Sequence, residues 1–271
     1  MKVDVVVCTY NSEKYLEECL KSIRKYIPVN RLIVVDHFSK DSTPIIAEDY
    51  ADLILWENQS LGFARQLGIS KVTTPFFLFV DSDVVIKGNK WLEQAYDYLC
   101  SFDGLAAVVL DIPSSYAEGE KIKTFWNKFG RINKDFFCIN TIIRTKAVRG
   151  IKIPFINSGE DKFIGNWLIQ NGWKYLLLKN DECFHFVDYS DRKSQWSGAG
   201  DRVYYGLRIL PKVFVKLLMS PIRGLLPSLI FKDIKIFVWN TRYLTNYLKG
   251  FLNFSKYRVL KRNDGGNELK C

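Results

Sequence analysis

The chain holds two histidines and six cysteines in 271 residues. The cysteines (8, 19, 100, 138, 183 and 271) are scattered, with no Cys-x-x-Cys spacing. That speaks against a zinc ribbon and a disulfide framework, and it suits a reducing compartment. No uncharged run reaches the ~18 residues of a membrane span, so a spanning helix is not expected. No repeat with a period of ~20–50 residues is visible. The start, Met1-Lys2-Val3-Asp4, enters a strand-like run with an acid inside it, unlike a secretory leader.

What is present is ordinary globular material, 48% hydrophobic and 25% charged, with aromatics raised to 15%. The length suits one large domain, or one domain with an appendage. The net charge of +10 is uneven. Residues 202–271 carry fourteen Lys/Arg against Asp233, Asp264 and Glu268, whereas residues 1–201 are almost neutral. The expected division is therefore a body over 1–201 and a basic, amphipathic helical region over 202–271.

Apolar runs and helical stripes alternate along the body. Strands are expected over Val3–Thr9, Leu32–Val35, Asp52–Leu55 and Pro75–Val80. Between them lie a helix with Leu16, Cys19, Leu20 and Ile23 on one stripe, a second opened by Asp41-Ser42-Thr43-Pro44, and a third over Gly62–Val72. This order predicts an α/β fold with an open, mainly parallel sheet flanked by helices. Further on, a helix is expected over Trp91–Cys100 and strands over 105–111 and 138–144. A helix over Glu160–Asn171 and a strand over Tyr175–Leu178 follow. Segment 113–135 has no clear period. Segment 188–200 has loop chemistry, with Gly198 and Gly200 as hinges.

Polar residues gather where the apolar strands end: Thr9-Tyr10-Asn11, Asp36 and Asp81-Ser82-Asp83. Ligands of open α/β sheets bind beyond the carboxyl ends of the strands. Two carboxylates one residue apart repel each other unless a cation or hydrogen-bond donors neutralise them. Asp81 and Asp83 therefore read either as a solvated turn or as a site for a divalent cation and a diphosphate. A haloacid-dehalogenase-type phosphatase also uses strand–Asp-x-Asp, but wants it near the start of its domain. A sugar nucleotidyltransferase wants a Gly-rich, basic first loop, which residues 8–12 lack. A non-catalytic nucleotide-binding, membrane-associated protein is a further alternative.

In these segments the chain resembles the family 2 glycosyltransferases of the GT-A fold. The matching runs are Val5-Val6-Val7-Cys8-Thr9-Tyr10-Asn11, Ile33-Val34-Val35-Asp36 with Ser39-Lys40-Asp41-Ser42-Thr43, Gly62–Ile69, Phe79-Val80-Asp81-Ser82-Asp83, and Gly159-Glu160-Asp161-Lys162. The resemblance covers roughly residues 3–187. It implies a nucleotide-diphosphate sugar donor and Mg²⁺ or Mn²⁺. Thr9, Tyr10 and Asn11 would line the nucleotide, Tyr10 against the base. Asp36 would hydrogen-bond the base, with His37 where a second acid is usual. Arg65 would contact the nucleotide, Asp81 the ribose or the metal, and Asp83 the metal. Asp161 would be the general base and Glu160 would bind acceptor hydroxyls, giving inversion. His185, between Phe184 and Phe186, is either a core histidine or a third metal contact. Trp196 would stack on the acceptor from a closing lid.

The basic region mixes aromatics and aliphatics with interspersed Lys/Arg as amphipathic helix material, with breaks expected at Pro211, Pro221 and Pro227. It reads either as a helix in the plane of a membrane interface or as a helical subdomain with solvated charges. No nucleic-acid-binding motif is present. The expectation is a peripheral protein at the cytoplasmic membrane face, acting on a lipid-linked or glycan acceptor.

Overall fold

Strands buried on both faces need apolar side chains at every position, and the β-branched runs supply them. The computed structural model describes residues 2–115, 117–127, 136–186 and 191–257. The parts of the 113–135 and 188–200 segments at 128–135 and 187–190, and the tail beyond 257, lie outside the described residues. The described chain forms two compact units. The first takes in residues 2–113, 136–155 and 160–186, and the second the remainder. The second unit is thus larger than the 202–271 region expected, with segments at 114–127 and 156–159 joining it.

In the first unit, β1 (Val3–Thr9), α1 (Glu13–Tyr26), β2 (Val29–Asp36), α2 (Thr43–Tyr50), β3 (Leu53–Trp56), α3 (Leu61–Lys71) and β4 (Phe76–Val80) follow the expected alternation. Then come β5 (Val84–Ile86), α4 (Lys90–Ser101) and β6 (Leu105–Asp111). The second unit's α5 (Ala117–Asn127) precedes β7 (Asn140–Arg144), α6 (Glu160–Gln170), β8 (Lys174–Lys179) and β9 (Cys183–His185). Seven strands form one sheet in the order β3-β2-β1-β4-β7-β6-β8. β7 runs antiparallel to both its neighbours, and the other pairs are parallel. β5 and β9 form a separate antiparallel ribbon.

The period of two in β1 sends Val5 and Val7 into one core with Leu16, Leu20 and Trp91, and Val6 into the other with Ile33, Phe77 and Phe79. Each such buried aliphatic contributes about 1.5–3 kcal/mol. Asp4, the acid inside β1, is wholly buried. Burial alone would raise its pKa. Hydrogen bonds from the Thr73 backbone, Asn30, Arg31 and the Thr73 hydroxyl overcome that and hold it down at about 2.

The second unit packs α5 with α7 (Asp191–Tyr205), α8 (Leu210–Ile230) and α9 (Ile234–Leu252). The 188–200 segment is therefore helical from Asp191, which corrects the expected loop. Of its glycines, Gly198 serves a helix crossing and Gly200 packs against Ser158. A methyl at Gly198 would run into the Tyr247 carbonyl, and one at Gly250 into the Gln195 carbonyl. Only glycine lets α7 and α9 approach so closely. Tyr247 Oη donates to Asp201 Oδ2 at 2.8 Å, and Lys216 Nζ lies 3.7 Å from the same oxygen. One buried carboxylate so joins α7, α8 and α9.

α8 continues through Pro221 and Pro227, so the expected breaks there do not occur. Pro211 lies in its first turn, where a missing N–H costs nothing. Its buried stripe is Val213, Ser220, Gly224, Pro227 and Ser228. Phe214, Leu218, Ile222, Leu225 and Leu229 remain exposed. By length and composition, Gly206–Ile230 is long and apolar enough to cross a membrane, with a mean hydropathy of 1.5 over its best window. The few charges that argued against a span from sequence do not exclude one by this measure.

Candidate active site

The parallel strands β1 and β2 end in register, Thr9 beside Asp36. Asp36 is fully buried. Its Oδ2 accepts from Thr9 Oγ1 and Ser39 Oγ, both at 2.7 Å, and its Oδ1 from the Ser39 backbone at 2.7 Å. The Asp36 carboxylate is thus enclosed by Thr9 and Ser39 at the strand ends. Asn11, in the left-handed region at φ 48°, links the same loops. Its backbone donates to Ser39 Oγ at 2.8 Å and its Oδ1 accepts from the Lys40 backbone at 2.9 Å. Tyr10 is presented outward, 54% exposed.

β4 delivers Asp81-Ser82-Asp83 to the same edge. The turn is fixed from both sides: the Asp81 backbone donates to the Ile139 carbonyl at 2.8 Å, and the Phe186 backbone to the Asp83 carbonyl at 2.8 Å. The second bond exists because β5 pairs with β9, Val84 opposite His185. His185 Nε2 then lies 3.0 Å from Asp83 Oδ1. One ligand atom from each of Asp81, Asp83 and His185 lies within 4.8 Å of the others. Two carboxylates and an imidazole, all part-exposed, fit a divalent ion such as Mn²⁺. Mg²⁺ favours oxygen ligands and retained water.

α3 carries Arg65 into the space between the two acidic motifs. Ser60 caps this helix by accepting from the Phe63 backbone at 3.2 Å. The Arg65 side chain is 5% exposed. Its Nη2 lies 3.1 Å from Asp81 Oδ1 and its Nε 3.3 Å from Glu160 Oε1, with the guanidinium 5.0 Å from the Phe79 ring centroid. Arg65 thus lies between two of the acids expected at the site. Glu160 is likewise buried against Arg65.

Asp161 differs from its neighbour. Burial, then the adjacent Glu160 charge, pushes its carboxyl up to about 7, against a hydrogen bond from the Lys162 backbone and the pull of Arg65. A carboxyl at that position exchanges protons near neutral pH. Nearby Cys8 is pushed by burial up to about 12, and burial raises Cys138 as well. Both are thiols at neutral pH, so neither offers a thiolate nucleophile or soft-metal ligand.

Sequence reasoning missed Glu57. It is buried just past β3, accepts from the Gln59 and Ser60 backbones at 2.7 and 3.0 Å, and lies 2.5 Å from His37 Nδ1. The signal was available: Glu57 is one more polar residue at a strand end. Trp196 lies on α7 in the second unit, where its carbonyl accepts from Ser158 Oγ at 2.8 Å. The lid expected around it is helix.

Residues 4–157 match the model of glycosyl transferase family 2, more than half of the chain. The chain belongs to glycosyl transferase family 2. Among curated relatives, this transferase is 27% identical over 213 residues to the teichoic acid poly(glycerol phosphate) polymerase of Staphylococcus epidermidis, covering 69% of the chain and 28% of that protein. It is 34% identical over 102 residues to glycosyltransferase GlyA of Streptococcus pneumoniae, covering 35% of the chain and 14% of that protein. The chain thus spans less than a third of the length of these relatives. In fold it is similar to S. aureus TarS 1-349 (TM-score 0.54, 20% identity, 92% of each chain). It is also similar to glucosyl-3-phosphoglycerate synthase of Mycobacterium tuberculosis (TM-score 0.60, 15% identity, 75% of this chain and 77% of that one), whose structure holds Mn²⁺, UDP and phosphoglyceric acid. The GT-A-type sheet and the family are as the sequence indicated, and the phosphatase alternative falls away.

The Arg65 bridge yields a direct expectation. Arg65→Met leaves Glu160 buried without its guanidinium, and breaking a buried pair from one side costs about 3–5 kcal/mol. The stranded carboxylate takes up a proton more readily, so the loss should shrink as pH falls from ~8 to ~5. Urea denaturation at the two pH values measures both. A small, pH-independent loss would show that the bridge carries no such weight.

Proposed function

We infer that this transferase moves a sugar from a nucleoside-diphosphate donor to an acceptor hydroxyl or phosphate with inversion at the anomeric carbon. The observation that carries this reading is one buried arginine joining two acidic sets of different character. Asp81 and Asp83 cluster with His185 as a cation site. Asp161 is poised to gain or lose a proton near neutral pH.

Asp83, Asp81 and His185 would hold Mg²⁺ or Mn²⁺. A bound ion supplies Lewis-acid stabilisation of the charge that develops on the leaving diphosphate. Tyr10 offers its exposed ring to the nucleobase, while Thr9, Asn11 and Asp36 hold the loop that carries it. Arg65 fixes Asp81 and Glu160. Asp161 takes the acceptor proton as the acceptor oxygen attacks the face opposite the diphosphate, and a single displacement inverts the carbon. Trp196 is kept as an acceptor-stacking candidate. Fold neighbours crystallised with UDP, with UDP-GlcNAc and with Mn²⁺ support the donor class.

The test is a panel of nucleotide sugars with Mn²⁺ or Mg²⁺, scoring transfer and donor hydrolysis. In Asp161→Asn, turnover should fall by roughly 10²–10⁴, the usual contribution of a general base, with donor binding retained. The base works ionised, so wild-type turnover should rise with pH through about 7 and level off above it. Unchanged turnover in the variant would refute the base. Donor binding by no nucleotide sugar would refute the whole reading.

The acceptor is read as lipid-linked, with the enzyme peripheral at the cytoplasmic membrane face. Support comes from the exposed stripe of α8 and from a depression of ≈ 320 Å³ beside it, lined by Lys212, Lys216 and Arg223 with Pro211, Val215 and Met219. A helix of this kind lies in the interface, and each basic residue near anionic headgroups contributes about 1 kcal/mol. The similarity to an enzyme named for teichoic acid synthesis fits such an acceptor. The full chain should float with phosphatidylglycerol vesicles and less with phosphatidylcholine, and a Phe214→Asp, Leu218→Asp variant should stay behind. Equal recovery of both proteins would remove the membrane from the account.

A further inference from the structure

The enclosure of Asp36 leaves a question about what reads the base. The neighbouring polar group at that strand end is His37, whose side chain is 37% exposed. Its backbone donates to the Thr9 carbonyl at 2.9 Å, which ties it to the end of β1. Its ring meets Tyr10 edge-on, with centroids 5.1 Å apart. Exposed rings surround it: Tyr10 and Phe38 are each 54% exposed and Trp56 44%, with Phe38 and Trp56 in contact at 5.5 Å. Exposed aromatic rings at the carboxyl edge of a sheet suit the face of a nucleobase.

The orientation of His37 is set from beneath. The Glu57 carboxylate, with no side-chain exposure, lies 2.5 Å from Nδ1. Glu57 Oε2 is already held by two backbone donors. A carboxylate so placed is a fixed acceptor, so Nδ1 bears the proton. In the neutral ring the other nitrogen, Nε2, then carries a lone pair. The hydrogen bond on one ring nitrogen decides what the second can do.

We propose that His37, positioned by Glu57, selects the donor nucleotide by accepting the ring imide N–H of its base at Nε2. Uracil and thymine carry that N–H at N3, and guanine presents an equivalent lactam N–H at N1. Cytosine and adenine carry a lone pair at the equivalent nitrogen, which would face the Nε2 lone pair. The proposal rests on the nucleotide-sugar reading and adds which side chain discriminates.

Calorimetry on the full chain with Mn²⁺, using UDP against CDP and GDP against ADP, tests it. In the pair that binds more tightly, the imide-bearing member should be favoured by roughly tenfold or more. Methylating its imide nitrogen should cost the wild type a similar factor. In His37→Phe, which keeps a flat ring beside Tyr10, the preference should collapse to within about threefold. The affinity for the disfavoured member should stay unchanged, which reports an intact fold. A wild type without the preference, or a variant that keeps it, overturns the role of His37 while leaving sugar transfer standing. Binding of none of the four diphosphates overturns the nucleotide-sugar reading and this proposal together.

Discussion

Arg65 lies 5% exposed between two carboxylates from distant parts of the chain, Asp81 at the end of β4 and Glu160 at the start of α6. Buried ions are expensive unless each finds partners, so the buried arginine requires its acids and the buried Glu160 requires the arginine. The candidate cation cluster and the acidic start of α6 are therefore linked through a single guanidinium. Asp81 contacts Arg65 and clusters with the Asp83–His185 pair. Glu160 takes up the arginine's second arm, and its charge helps to hold the neighbouring Asp161 high. Linking Asp81 and Glu160 through one buried group makes their relative position a property of the core rather than of loops.

The sheet was legible in the sequence because burial on both faces leaves no room for ambiguity. Runs such as Val5-Val6-Val7 and Phe76-Phe77-Leu78-Phe79-Val80 have no polar side to turn outward. The polar strand ends were legible for the same reason, since each interrupts an apolar run. What was not legible was how each acid would be used. Asp36, Glu160 and Asp161 are all single carboxylates in similar company on paper. Only the folded chain gives Asp36 three hydrogen bonds, Glu160 a guanidinium, and Asp161 a largely desolvated place beside a like charge.

The second unit shows the opposite failure. Gly198 and Gly200 in a Ser/Asp-rich stretch carry the composition of a loop, yet the stretch from Asp191 is helix. Glycine there answers to the neighbouring helix, which approaches too closely for any methyl group. Nothing local in the sequence distinguishes that demand from flexibility, because the residues facing Gly198 lie some fifty positions away at Tyr247 and Phe251. The prolines misled similarly. Pro221 and Pro227 lie within α8, where packing on α9 outweighs the roughly 3 kcal/mol that an interior proline costs an isolated helix.

The central claim is that Asp81, Asp83 and His185 form one cation site that works with a nucleoside diphosphate. Electron paramagnetic resonance of Mn²⁺ titrated with the full chain, with and without UDP, tests this most directly. The account predicts that the wild type binds Mn²⁺ and that UDP tightens the binding. It also predicts that Asp83→Asn and His185→Ala each weaken binding by about tenfold or more, as loss of a ligand should. Equal Mn²⁺ binding by the wild type and both variants, indifferent to UDP, would contradict it.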